Sequence, residues 1–181
     1  MIARVGQRRF MWAFSALSVL FFGWIWMAFR AASAGPVFWV TSQGERWASA
    51  ALMLGAFLQI FSTGLRTGRV TDSYGTAVGI WGLVHMANNA AAADWVFFGY
   101  MTLLALAGTW LIDHRRARLL GDAWPPLKAE TSNLPFLAIL RGRNRLLLRE
   151  FGWARAAAAL AAWALALWVH ETVFGLPVLW F

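Results

Sequence analysis

The stretch Ser73–Ala93 reads SYGTAVGIWGLVHMANNAAAA; a single acid, Asp94, follows, and Trp95–Ile112 continues as WVFFGYMTLLALAGTWLI. Neither run holds a Lys, Arg, Asp or Glu, and each is close to the ~20 apolar residues that a helix needs to cross the hydrocarbon of a bilayer. So little chain separates them that they are predicted to form a tight hairpin of antiparallel helices, closed at Asp94.

Working outward, Phe10–Phe29 and Trp47–Leu65 are likewise uncharged, and Ala156–Phe181 is interrupted only by Glu171. The spans are therefore expected at about 10–29, 47–65, 73–93, 95–112 and 156–175. The chain is 60% apolar, 13% charged and holds 13 tryptophans. A soluble globular chain runs nearer 45–50% apolar and about 25% charged. Residues 1–181 are thus read as one integral membrane domain, all-α, a polytopic transmembrane bundle of about five spanning helices. A soluble enzyme and a disordered tail are excluded. Arg4, Arg8 and Arg9 ahead of an apolar run that leads to Ala32-Ser33-Ala34 resemble a secretory signal. Phe10–Phe29 is longer than a usual signal core and carries three Trp, so it is read as an uncleaved first helix.

The net charge of +8 is strongly uneven along the chain. Cytoplasmic loops retain Lys and Arg. With the N-terminus inside, every basic residue except Arg30 and Arg46 falls on the inner side. The expectation is a bacterial inner-membrane protein with a cytoplasmic N-terminus and a periplasmic C-terminus. Basic residues placed just inside membrane spans argue against a nucleic-acid partner. Asp113–Gly152 is the long inner loop; Trp124-Pro125-Pro126 is expected to break it. Leu134–Phe151 carries apolar residues at helical spacing among arginines, as does an interfacial helix on an anionic leaflet. A solvated basic linker is the other reading, given Pro135 and Gly142.

With no cysteine, the chain has no disulfide, thiol nucleophile, Cys-ligated zinc or iron–sulfur cluster. Ionisable groups at membrane depth are costly and so mark function. His85 lies in mid-helix, and the i, i+4, i+8 spacing places Trp81, His85 and Asn89 along one side. His85 can be read as an imidazole ligand to iron, with Asn89 a polar neighbour and Trp81 flanking a flat cofactor, or as interhelical packing glue. His170 makes the ligand reading sharper. At ~1.5 Å rise per residue, His85 stands roughly 18 Å along its span and His170 roughly 21 Å along its own. Two imidazoles at matching depth on different helices are what b-type haem uses for axial ligation. There are too few donors at depth for a non-haem cage. His114 reads as a helix-end residue in a charged loop. Glu171 either balances His170 or is solvated. Arg30 and Arg46 are candidates to meet haem propionates or are plain interface anchors. The Trp and Phe content suits a pocket for a long hydrophobic substrate and equally suits interfacial belts and helix packing.

These residues resemble the NnrU membrane family, which includes zeta-carotene isomerase. The resemblance rests on Trp81-xxx-His85-xxx-Asn89, on Thr131-Ser132-Asn133-Leu134-Pro135-Phe136, on Gly142-Arg143 and Phe151-Gly152-Trp153, and on His170 with Gly175-Leu176-Pro177-Val178, from about residue 66 onward. Where the family usually carries Arg-His-Pro, this chain reads Arg69-Val70-Thr71-Asp72-Ser73-Tyr74, and Phe10–Phe29 lacks the family's histidine. The resemblance implies a polytopic helical protein with a histidine-ligated haem b, His85 and His170 matching the family's histidines. It implies either isomerisation of a cis-carotenoid, or redox chemistry on a lipid-soluble substrate, or a non-enzymatic role beside other membrane subunits in nitrite and nitric oxide metabolism.

Overall fold

Where no water is available to serve N–H and C=O groups, a chain must satisfy its backbone within each segment, and uncharged runs of this length do so as helices. A computed structural model describes residues 6–62, 73–133, 137–145, 152–174 and 178–179. The described elements are α1 (Gln7–Ala31), α2 (Gln43–Phe61), α3 (Ser73–Asn88), α4 (Ala92–Leu120), a 3-10 turn (Gly121–Ala123), α5 (Trp124–Glu130), α6 (Leu137–Leu140) and α7 (Trp153–Phe174). Among the described residues there is no strand; isolated bridge positions occur, among them the pair Val37 and Ala91.

The all-helical architecture agrees with the sequence reading; the expected count of about five spans is not confirmed among the described residues. Among the described residues, three helical stretches are long and apolar enough to cross a membrane: α1, Ala92–Glu130, which runs from α4 into α5, and α7. α2 opens on Gln43-Gly44-Glu45-Arg46, and α3 has 16 residues, or ~24 Å against a hydrocarbon core of ~30 Å. Both are packed between the long helices: α3 lies against α2 and α4, and α2 against α7.

α3 and α4 are antiparallel neighbours, as expected. The turn between them is Asn89–Ala91, however, and Asp94 falls inside the first turn of α4. There its carboxylate faces the positive end of the helix dipole. The helices approach so closely that a Cβ on Gly82 would stand 2.2 Å from Thr102 Oγ1 and 3.0 Å from the Phe98 carbonyl oxygen. Only glycine fits this crossing.

α7 meets α2 along a 3–4 spaced stripe that includes Ala159, Trp163, Leu167 and His170. Ala159 is fully buried, and the Trp163 indole N–H donates to the Ala50 carbonyl at 3.0 Å. Small residues on both helices permit that approach. α1 contrasts with all of these: none of its residues is buried, and large apolar side chains such as Trp12, Val19, Leu20 and Trp24 are exposed around it. It joins the bundle near its C-terminal end, where Phe29 stacks on Phe97 at 4.5 Å and Trp26 meets Phe97 and Phe174 edge-on at 5.8 and 5.9 Å.

The two ends of the molecule are built differently. At the hairpin end, the Ala32–Ser42 connection covers the α3–α4 turn. Ala92 N–H and Ala93 N–H, which have no partners within their own helix, donate to the carbonyls of Pro36 and Ala34. At the basic end, α4 does not stop at Ile112 but runs through Asp113-His114-Arg115-Arg116 to Leu120. Arg, Leu and Ala are good helix formers whether or not lipid surrounds them, so the first part of the expected loop 113–152 is helix. Trp124-Pro125-Pro126 does not break the chain; it starts α5, because proline suits the first turn of a helix, where its missing N–H would be unpaired anyway. Lys128 of α5 pairs with buried Asp113 of α4, and Asn133 Nδ2 donates to the same Asp113 Oδ2 at 2.9 Å. The continuous interfacial helix expected over Leu134–Phe151 is interrupted: α6 ends at Leu140, and Gly142 adopts φ +67 in the following turn. Residues 134–136 and 146–151 of that segment lie outside the described residues.

Candidate functional site

A helix C-terminus leaves carbonyls without intrahelical donors, and several polar side chains gather at the end of α3. Asn88 Nδ2 donates to the Val84 carbonyl at 2.7 Å and to Ser49 Oγ at 2.6 Å. Asn89 Nδ2 donates to the His85 carbonyl at 2.9 Å. From the Ala32–Ser42 connection, the Trp39 indole N–H reaches the Ala87 carbonyl at 3.1 Å and the Thr41 hydroxyl the Asn88 carbonyl at 2.9 Å. The polar stripe of α3 thus ends in a cap that holds its last turn against α2 and the connection, with the Asn88 Oδ1 buried and taking no hydrogen bond among the described residues.

His85 sits one turn before this cap. Its Nδ1 is 2.7 Å from the Trp81 carbonyl oxygen. A carbonyl only accepts, so Nδ1 carries the proton in this bond, and Nε2 of the neutral ring keeps its lone pair. One face of the ring is stacked on Phe98 at 4.7 Å, and Trp81 is 4.8 Å away. The His85 ring is therefore positioned by neighbours from both α3 and α4.

His170 faces it from α7, with the ring centroids 6.2 Å apart and the planes inclined by 42°. Phe174, one turn further on, lies 5.3 Å from His170 and reaches Trp26 of α1. A closed series of rings results: Trp26, Phe97, Phe98, His85, His170 and Phe174, drawn from α1, α4, α3 and α7. The two histidines are the ionisable members of this collar.

Both imidazoles line a cavity of about 340 Å³ between α2, α3 and α7, near the lower end of the size range of small-molecule sites, roughly 300–1,000 Å³. Met53, Phe57, Val84, Trp163 and Leu167 supply apolar walls, and Trp81, Asn88 and Asn89 line it as well. The residues singled out on α3 and α7 are thus brought together. Asn89 borders the cavity, but its amide nitrogen is engaged in capping. Arg46 lies on the cavity, whereas Arg30 is exposed and does not line it. Glu171 is exposed and also off the cavity wall. His114 is at the other end of the molecule, exposed, with Nδ1 2.9 Å from the Trp110 carbonyl. Among the described residues no group of three or more His, Asp and Glu is gathered, so protein donors alone do not make a metal cage.

Sequence reasoning passes over Phe98, Ser49, Asn88 and Trp163. Trp163 carries a signal, since it precedes His170 by seven residues and so shares its helix face. Phe98 carries none, because its register against His85 depends on how closely α3 and α4 cross at Gly82.

The model of the NnrU protein family matches residues 1–178 of this sequence. The chain belongs to the NnrU family. No curated protein and no solved structure matches it. The family match takes in α1 and α2 and so extends beyond the resemblance read from about residue 66. In this NnrU-family chain, the family-like Thr131-Ser132-Asn133 closes the basic end: Thr131 and Ser132 are buried, and Asn133 bonds Asp113. Residues 134–136, 151 and 175–177, which carry other parts of the resemblance, and residues 69–72, where the chain departs from it, lie outside the described residues.

Proposed function

We propose that this NnrU-family membrane protein binds a b-type haem between His85 and His170 and acts on a lipid-soluble substrate such as a cis-carotenoid, by isomerisation or by redox chemistry. The observation that carries this reading is the imidazole pair itself, two rings at 6.2 Å from helices on either side of an apolar cavity. With metal–imidazole bonds of ~2 Å, two rings this close could both reach one metal ion. The donor set also fits: neutral nitrogen ligands, one of them with its tautomer set by a backbone carbonyl, as ligating histidines usually are. When bound, a b-type haem supplies an iron whose oxidation state and axial coordination can change. The chain's own part is to orient His85 through the Trp81 carbonyl and the Phe98 ring, and to wall the site largely with apolar side chains. The clustering of Arg8, Arg9, Arg115, Arg116, Arg118 and Arg155 toward one end of the bundle supports an inner-membrane topology with a cytoplasmic N-terminus and a periplasmic C-terminus.

Absorption spectra of the detergent-purified protein, oxidised and reduced, test the ligand pair. A Soret band is expected from haem-replete cells and is expected to be lost in His85→Ala and in His170→Ala; a colourless wild-type protein overturns the reading. Product analysis with a cis-carotene under reducing conditions then tests the isomerase activity. The second reading, a non-enzymatic subunit that supports nitrite or nitric oxide metabolism beside other membrane proteins, is favoured by the exposed apolar surface of α1. A haem-loaded protein that leaves the carotene unchanged would select it.

A further inference from the structure

We infer that the turn formed by α6 and Gly142 is a membrane-surface anchor: Leu140 enters the headgroup region of the bilayer, and Arg141 and Arg145 meet the phosphates of anionic lipids there. The level at which the turn sits carries the inference. The uncharged run of α4 ends at Ile112, so Asp113 marks the edge of the hydrocarbon. α4 continues to Leu120, roughly 11 Å further by helical rise, and a chain that simply went on from there would lie out in the water. Instead α5 folds back. Lys128 pairs with Asp113, Asn133 bonds the same carboxylate, and the Arg143 guanidinium donates to the carbonyl of Ala129, the neighbour of Lys128, at 3.1 Å. These bonds return residues 137–145 to the level of Asp113.

The turn itself has a fixed shape. Ala138 is buried, and its carbonyl accepts from Arg143 N–H at 2.8 Å, while the Ile139 carbonyl accepts from Gly142 N–H at 2.9 Å. With Ala138 packed inward, Leu140 points out and is 81% exposed, and Arg141 and Arg145 beside it are exposed as well. Among the described residues of 113–145, seven basic residues stand against three acids, and one of those acids, Asp113, is already paired with Lys128. A single exposed leucine is ordinary. One held at the edge of the hydrocarbon among arginines matches an anionic leaflet, where the apolar side chain reaches the acyl boundary and the guanidiniums bind phosphate oxygens. The inference concerns the end of the bundle opposite the cavity and is independent of the haem reading.

The chain has no cysteine, so Leu140→Cys can carry a single apolar fluorophore, and Ala123→Cys, in the 3-10 turn beyond α4, provides the control. The labelled full-length protein is placed in nanodiscs of phosphatidylcholine or of equal parts phosphatidylcholine and phosphatidylglycerol, and quenching by acrylamide is measured. The probe at 140 is expected to be quenched about fivefold less in the mixed discs, the factor that one arginine near an anionic surface supplies, and high salt should remove this protection. Arg141→Gln combined with Arg145→Gln should abolish most of the difference, and lysine at both positions should keep it. The probe at 123 should respond alike in the two lipids. Equal quenching at 140 in both lipids, as a protein partner or a second copy covering the turn would give, overturns the inference. So does a lipid difference that survives the double glutamine variant or is matched at 123. If the double glutamine variant does not fold, salt decides: protection at 140 that disappears in high salt supports the anchor, and protection indifferent to salt overturns it.

Discussion

The hairpin end and the basic end of this molecule handle polar groups in opposite ways. At the hairpin end, amides, an indole and a hydroxyl donate to the last carbonyls of α3, and neutral hydrogen bonds hold the turn. His85, His170 and Arg46 stand on the cavity wall beside this capped turn, together with Asn88, whose amide nitrogen is committed to the cap while its buried Oδ1 takes no hydrogen bond among the described residues. At the basic end a buried carboxylate, Asp113, is held by Lys128 and Asn133, and a folded segment is docked by charge. The difference separates function from assembly: the end held by neutral hydrogen bonds holds the cavity, and the end held by an ion pair fastens the chain that follows α4.

Three substitutions put this contrast to the test. The largest effect is expected at Gly82, where the crossing of α3 and α4 sets the register of His85 on Phe98. Gly82→Ala forces its Cβ against Thr102 Oγ1 and the Phe98 carbonyl; overpacking of this kind costs about 3 kcal/mol. The expected outcome is a markedly lower thermal midpoint in detergent together with loss of ligand binding at the cavity. Thr102→Ala in the Gly82→Ala background should recover only part of the loss, since the backbone oxygen at 3.0 Å remains.

A smaller loss that leaves the site intact is expected at the other end. Lys128→Met takes the cation from the Asp113 carboxylate and leaves Asn133 to hold it. Because the Lys128 side chain is 42% exposed, the cost is nearer ~1–2 kcal/mol than that of a fully buried pair. Limited proteolysis between α4 and α7 should accelerate, while ligand binding at the cavity is unchanged. A change at the cavity would show that the two ends are coupled.

The smallest effect is expected at the start of α2. Ser42→Ala removes a hydroxyl that caps Glu45 N–H, a change worth about 1 kcal/mol of helix stability. Thermal stability should fall slightly. Ligand binding should weaken with it only to the extent that the fraying reaches the cavity wall at Arg46.

Much of the site is legible in the amino-acid sequence. His85 and His170 stand out because an imidazole at membrane depth is costly, and a fixed rise per residue allows their depths to be compared. The i, i+4, i+8 stripe on α3 groups Trp81, His85 and Asn89 on one side, and all three do border the cavity. Asn89 is legible as polar but not as a cap, because the uncharged run continues to Ala93 whereas α3 ends at Asn88. The helix that contains 95–112 outruns that uncharged run for a related reason: an absence of charge marks where lipid is tolerated, whereas helix continues through Arg115 and Arg116 on backbone propensity. Lys128 and Asn133 read as loop residues, since pairing with Asp113 requires α5 to fold back on α4.

An all-helical membrane protein of the NnrU family is written in the amino-acid sequence, which also leads one to expect basic residues on one side and two histidines at comparable depth. Those features depend on composition and on a regular rise along each helix, both of which are local. The tertiary structure alone decided that α2 and α3 are packed helices shorter or more polar than the three long apolar ones, that His85 meets His170 at 6.2 Å, and that Arg46 rather than Arg30 stands on their cavity. Helix rotation and crossing set those distances, and both follow from packing between segments far apart in the chain, such as Gly82 against Thr102 and Trp163 against Ala50.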